Sequence, residues 1–367
     1  MSIVTDSIIV AIDGALIVIA EASAGIFITR KGWLSKSGTE TMSKVTLWVI
    51  LPCLLFCEMI NEFSISQMGE FGLLFVFCSL HIFVGYGVGW LFGKLTHADT
   101  ELAKLMKACI AFQDTTAIPL VYASVLGNNS ITKPDHHFKN KATEIVLIYT
   151  VFITVYKWTF AYGMMKPEIT PKNTNEIELL ESASSNGTSK VNENSWLWKV
   201  KKTLNPPIYA TLVSVPLALI PYMKEYVFAG SGAVFKNNLF AAMTSIGACA
   251  SPIINLMLGS NLSQGYPPEA DISWTCLNLV MIGKMVVMPI FGAAMLFPLY
   301  WAGIINRVMV IMVGVTFASP TSLQLLMICV IHKNQVDNIS KVYLFMYLIC
   351  AIPMSVWTIV LLVLAYQ

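Results

Sequence analysis

Charge is scarce in this chain. Lysine, arginine, aspartate and glutamate make up 12% of its 367 residues, against roughly 25% in an ordinary soluble domain. A surface wetted on all sides is therefore excluded. The little charge present is nearly balanced at +2, so the basic excess that nucleic-acid binding requires is missing as well. The first apolar run follows Asp6 with no lysine or arginine before it. It lacks the positive n-region of a cleaved signal and reads as a retained span. Eight cysteines fall almost wholly inside apolar runs, where they pack as small hydrophobes. Cys53 and Cys57 share a helix face, but no histidine or cysteine cluster completes a metal site. The expectation is no metal and no cofactor. An arrangement of nucleophile, base and orienting group is not visible either, which argues against an enzyme.

Long hydrophobic runs are what the chain has in abundance: 56% of it is hydrophobic. A hydrocarbon core about 30 Å thick needs about 20 mostly apolar residues per helix. Ten stretches qualify: Ile8–Thr29, Ser43–Ile60, Phe71–Gly93, Leu102–Gly127 and Thr143–Met164, then Pro207–Tyr226, Leu239–Leu258, Leu277–Leu299, Val308–Ile331 and Val342–Tyr366. The expected fold class is an all-α membrane protein. Between the fifth and sixth spans runs a polar stretch rich in Ser, Asn, Glu and Thr, which cannot bury enough apolar surface to offset its ordering entropy. The chain thus divides into 1–165, a linker 166–204, and 205–367.

The two outer parts carry matching marks. Pro52 and Pro252 lie 200 positions apart, Pro119 and Pro320 lie 201 apart, and Trp158-Thr159 repeats as Trp357-Thr358 at 199. Each part holds five spans, an odd number, so the second copy enters the membrane inverted. Counted with the adjoining span ends, alternate loops starting from the first carry 15 lysines and arginines against 6 on the others. By the positive-inside rule the first loop and the linker are cytosolic, and both termini lie on the opposite side.

Spans four and nine hold the chemistry. Proline in a helix interior removes a hydrogen bond and clashes with the carbonyl four residues earlier, so Pro119 should free the carbonyl of Thr115, and Pro320 that of Thr316. Such breaks persist in hydrocarbon only where protein or a watery cavity covers them. Around them stand Gln113, Asp114, Thr115 and Thr116 in one span, and Ser319, Thr321, Ser322 and Gln324 in the other. Half-helix ends with hydroxyls and amides can hold a small polar or anionic group. A proline kink repaired by hydroxyls is the plainer reading of either helix alone; two breaks at corresponding positions favour a binding site.

Asp114 is the sharpest single residue. A carboxylate at mid-span costs roughly 2.5–3.5 kcal/mol, so it should face a cavity, a partner or a proton. Lys157 and Lys284 also lie within spans, and either could pair with it. Lys157 sits nearer a span end, where snorkelling to the interface is a third option. Asp13 and Glu21 fall on one face of the first span, lining a cleft or sitting near an interface. Glu58 and Glu62 close the second span and read as interfacial. His81 reads as a packing hydrogen-bonder, and His136-His137 have no metal partners in sequence. The series Gly85, Gly89, Gly93 marks a close-packing face.

The stretch Ala111-Phe112-Gln113-Asp114-Thr115-Thr116-Ala117-Ile118-Pro119-Leu120 resembles the AFGNxGNLPL motif of the auxin efflux carrier superfamily, in particular the PIN-like carriers of endomembranes. The likeness continues in LNPPIYATLVSVPLALIPYMKEYVF, IINLMLGSNLSQG and FASPTSLQLLMICV. It implies ten helices in two inverted repeats with crossed, broken helices four and nine, as in sodium/proton antiporters. It further implies a substrate site at that crossing, including Pro119 and Pro320, and elevator-like alternating access. The cargo would be a small organic anion such as an aromatic carboxylate, the location the endoplasmic reticulum membrane or else the plasma membrane, and the assembly a homodimer. Asp114 stands where the motif has asparagine, Thr116 where it has glycine, and Gln324 where the second half has asparagine. An added carboxylate repels an anion unless it is protonated or paired. A cation/proton exchanger on the same architecture and a ligand sensor that does not translocate are the competing readings.

Overall fold

The computed structural model describes residues 3–62, 68–115, 117–128, 138–167, 206–263 and 272–366. Thr116, His136, His137 and nearly all of the linker lie outside the described residues, as does the side chain of Asp13. In an apolar solvent every main-chain group must be satisfied within its own segment, and these apolar runs accordingly form helices. The first half comprises α1 (Ile3–Arg30), α2 (Lys36–Val45), α3 (Leu51–Glu62), α4 (Met68–Leu95), α5 (Thr100–Ala111), α6 (Ala117–Asn128) and α7 (Phe138–Tyr156). The second comprises α8 (Pro206–Leu219), α9 (Ala241–Ala248), α10 (Ala250–Ser263), α11 (Trp274–Ile282), α12 (Met288–Trp301), α13 (Arg307–Ala318), α14 (Gln324–His332), α15 (Val336–Ile349) and α16 (Ala351–Tyr366). Wide π-turns carry the chain without a break from α2 into α3 (Thr46–Ile50), onward from α7 (Lys157–Ala161), and from α11 into α12 (Gly283–Val287).

Among the described residues, five helical stretches are long and apolar enough to cross a membrane, and six if α15 and α16, bent by 55°, count as one. This is fewer than the ten spans expected: the 28-residue α1 is not among the six, and three others are excluded for a structural reason. Spans four and nine are each split into short helices at their breaks, and span six is a 14-residue helix. Large apolar side chains such as Trp48, Phe83, Leu212 and Ile352 face outward along these helices, as a hydrocarbon solvent permits and water does not.

Small residues set the closest helix crossings. A Cβ on Gly85 would lie 2.6 Å from the Ala111 Cα, and one on Gly89 would lie 2.5 Å from the Lys107 Cα. The glycine face of α4 therefore packs directly on the α5 main chain, as its spacing predicts. Gly25 of α1 and Gly259 of α10 meet the other helix's carbonyls in the same way. Beside that crossing Asn255 donates to the Glu21 carboxylate at 2.6 Å, which places Glu21 in a helix contact.

The helix connections gather on two faces. On one, Lys333 after α14 pairs with Glu40 of α2 at 3.1 Å. Asn334 donates to Glu101 of α5 at 2.5 Å and to the Met165 carbonyl at 3.1 Å. Lys341 donates to the Ile272 carbonyl at 3.2 Å. On the other face Lys224 reaches the Asn61 carbonyl at 2.7 Å. Among the described residues, the segments around Glu40, Glu101, Met165, Ile272 and Lys333–Lys341 thus lie together on one side; on the expected ten-span reading these are the odd-numbered connections.

Candidate functional site

Both interrupted spans stop being helical in the middle of the protein, and there they meet. α5 ends at Ala111 and Phe112 turns extended; α13 ends at Ala318 and Ser319 turns extended. The two extended pieces run antiparallel and pair at Gln113 and Thr321. The Asp114 amide donates to the Pro320 carbonyl at 2.7 Å, and the Ser322 amide donates to the Phe112 carbonyl at 3.0 Å. Groups that a helix would have paired internally are paired across the two halves instead, which is how a break survives in hydrocarbon.

The prolines do something other than the sequence suggests. Pro119 is the third residue of α6, a first-turn position where a missing amide costs little. The break precedes it. The Thr115 carbonyl accepts the Thr150 hydroxyl at 3.2 Å, and the Thr316 carbonyl accepts the Ser319 amide at 3.3 Å. Each carbonyl thus has at least one partner within the protein. Pro320 lies inside the second break itself, so the two prolines do not occupy corresponding places.

Side chains brace the crossing from several helices. Thr321 donates its hydroxyl to the Cys109 carbonyl at 2.7 Å. Tyr347 of α15 donates to the Thr321 carbonyl at 3.1 Å, and Tyr343 donates to the Ser322 carbonyl. Ser319 donates back to the Val315 carbonyl at 3.0 Å. Gln113 donates to the Tyr149 hydroxyl at 3.3 Å, which lies 3.4 Å from His81 Nδ1. On the far side of that imidazole, Lys284 Nζ stands 3.4 Å from Nε2 and donates to the Ile110 carbonyl at 3.1 Å. A donor at the end of α5 satisfies one of the carbonyls that the helix itself leaves unpaired there. Lys284 is fully buried in this packed network.

Lys157 is placed differently. It is also buried, which removes the snorkelling option, and it donates to Ser322 Oγ at 2.6 Å and Gln324 Oε1 at 3.1 Å. These groups line a cavity of about 220 Å³ together with Asp114 and Glu58. The opposite wall is the junction of α9 and α10, including Gly247, Ser251 and Ile254. Lys157 lies in the electrostatic field of both Asp114 and Glu58.

Of the residues singled out in the sequence, Asp114, Ser322, Gln324 and Lys157 reach this cavity. Gln113, Thr115, Ser319, Pro320 and Thr321 form the crossing behind it. Pro119 belongs to the α6 start, and Lys284 to the far side of the crossing. Glu58, read as interfacial, also lines the cavity. Its distance from the end of a span gave its depth but not the direction it faces. Tyr343, Tyr347 and Tyr149 escaped notice because a tyrosine in an apolar run has no spacing signal; its hydroxyl partner comes from another helix.

Interrupted helices paired beside a partly open cavity with a few convergent polar groups, in a chain of membrane-crossing helices, are a construction met in integral multi-pass membrane transporters. The chain belongs to the membrane transport protein family, that of the auxin efflux carriers, which its residues 11–358 match. It is 22% identical over 401 residues to an uncharacterized transporter of Saccharomyces cerevisiae, covering 94% of this chain and 93% of that one. An uncharacterized transporter of Schizosaccharomyces pombe is 21% identical, covering 94% and 92%. Protein PIN-LIKES 1 of Arabidopsis thaliana is 18% identical, covering 88% and 72%.

Proposed function

We propose that this protein is a secondary transporter of small organic anions, working by alternating access at the crossing, with Asp114 carrying a coupling proton. The observation that carries this reading is the cavity beside the paired breaks. Its wall offers Lys157 together with Ser322 and Gln324 at the start of α14, where a helix N-terminus adds positive potential. At about 220 Å³ it is smaller than the roughly 300–1,000 Å³ of drug-sized sites, so the cargo is small. Auxin-like aromatic carboxylates follow from the family resemblance, as do substrate contacts from the neighbouring Thr116.

The two halves read as inverted five-helix repeats, giving ten spans. In support, α5 and α13 are each 12 residues long and start from side-chain caps, Asp99 and Asn306. Pro52 and Pro252 stand in the first turns of α3 and α10. The face that gathers the odd-numbered connections is the lysine-rich one, which supports a cytosolic orientation of that face by the positive-inside rule. An endoplasmic reticulum location and a homodimer follow from resemblance alone.

The presence of two carboxylates, Asp114 and Glu58, on one wall favours a second reading, a cation/proton exchanger. The test is purified protein in vesicles under an imposed pH gradient. Accumulation of an aromatic carboxylate such as indole-3-acetate supports the first reading. Sodium- or potassium-driven proton flux with no organic cargo supports the second. Asp114→Asn should flatten the pH dependence of uptake while preserving the crossing, whose bond from this residue comes from its amide. An unchanged pH profile removes Asp114 from the coupling.

A further inference from the structure

A second cavity lies away from the crossing, on the face that gathers the odd-numbered connections. It has a volume of about 370 Å³ and is lined by Glu40, Ser43 and Lys44 of α2, Tyr162 beyond α7, and Val330 and Lys333 at the end of α14. Trp48 and Pro206 also line it, and the same two residues open an apolar groove of about 400 Å³. That groove runs between α3 and α8 past Pro52, Phe56, Tyr209 and Val213. A polar, lysine-bearing mouth therefore continues into an apolar trough on the outer surface of the helices. Lys333 Nζ pairs with Glu40 at 3.1 Å yet keeps 72% of its side chain exposed, so it can take a second anionic partner. Trp48, 68% exposed, stands where mouth and trough join, and exposed indole rings favour the headgroup region of a bilayer.

We propose that this groove binds one anionic phospholipid, its phosphate at Lys44 and Lys333 and an acyl chain along Pro52, Phe56 and Val213. Charge complementarity selects the head: basic pockets between membrane helices take anionic headgroups, each lysine contributing about 1 kcal/mol. Continuity with the trough selects a lipid over a free phosphate ester. Lys333 follows α14, one of the half-helices of the crossing, and Glu40 belongs to α2. A phosphate that draws Lys333 from Glu40 loosens the tie between them. This regulatory consequence, unlike the binding, rests on the transport reading above.

The test is native mass spectrometry of the intact protein released from mixed phosphatidylserine and phosphatidylcholine nanodiscs. The wild type should retain one phosphatidylserine in preference to phosphatidylcholine. Lys44→Gln and Lys333→Gln should each lower that preference about fivefold, Lys333→Arg should keep it, and Glu40→Gln should raise it. Excess soluble glycerophosphoserine should not displace the lipid. Equal retention of both lipids overturns the proposal, as does displacement by the soluble headgroup. An equal loss on Lys31→Gln, on the same face but outside the groove, would reduce the effect to general surface charge and overturn it too. So would a Trp48→Ala variant that loses a dimer while retaining phosphatidylserine, which would give the trough to a second copy. Because binding is read directly, a failed uptake assay leaves this result standing.

Discussion

Lys157 and Lys284 each occupy a wide turn in a long membrane helix, each is buried, and each directs its amine at one of the two breaks. Their surroundings separate them. Lys284 meets a main-chain carbonyl and an imidazole in a packed interior. Lys157 meets a hydroxyl and an amide side chain at the wall of a cavity that also holds two carboxylates. The same residue thus closes a helix end in one place and borders open space in the other; on the transport reading proposed above, that space is the ligand's. What distinguishes them is whether space adjoins the nitrogen.

The comparison is broken most directly by truncating each lysine to methionine. Lys157→Met should lower uptake in vesicles by about 100-fold, in line with the roughly 2–5 kcal/mol of binding lost when one partner of a buried charged contact is truncated. Its melting temperature should move much less than its uptake. Equal uptake by the variant would show that the cavity lysine carries no substrate contact. Lys284→Met should do the reverse: leaving the Ile110 carbonyl without its donor costs about 1–3 kcal/mol of stability, while the folded fraction transports within about threefold of wild type. Denaturation in detergent followed by tryptophan fluorescence reads the first quantity, and uptake normalised to folded protein the second. A Lys284→Met protein as stable as wild type but inactive would reverse the two assignments.

The smallest effect belongs to Pro119→Ala. With the proline already in the first turn of α6, its loss should change stability by no more than about 0.5 kcal/mol and leave uptake intact. If uptake collapses, the residue shapes the break after all, and the roles of side-chain bracing and proline must be exchanged.

Depth is what these residues disclosed in advance. Asp114, Lys157 and the polar residues around Pro320 stood out because they sit within apolar runs, where a polar group needs a reason. The close-packing face of Gly85 and Gly89 was legible because its period is that of a helix surface. The direction each side chain faces was not. Glu58 lies one turn beyond Leu54, and both line the same cavity, yet only the position of α9 and α10 makes that face interior. The register of the breaks was hidden for a related reason. Prolines mark where a helix can be interrupted, but the pairing of 112–114 with 320–322 is decided by amides and carbonyls, which every residue type supplies alike.

The hydrogen bonds from Asp114 to Pro320 and from Ser322 to Phe112 have a consequence for how such a carrier can diversify. The seam joining the halves is written in peptide groups, so a change of side chain at Asp114 or Ser322 retunes the cavity without unfastening the halves. On the transport reading proposed above, selectivity can drift one residue at a time while these two bonds stay closed.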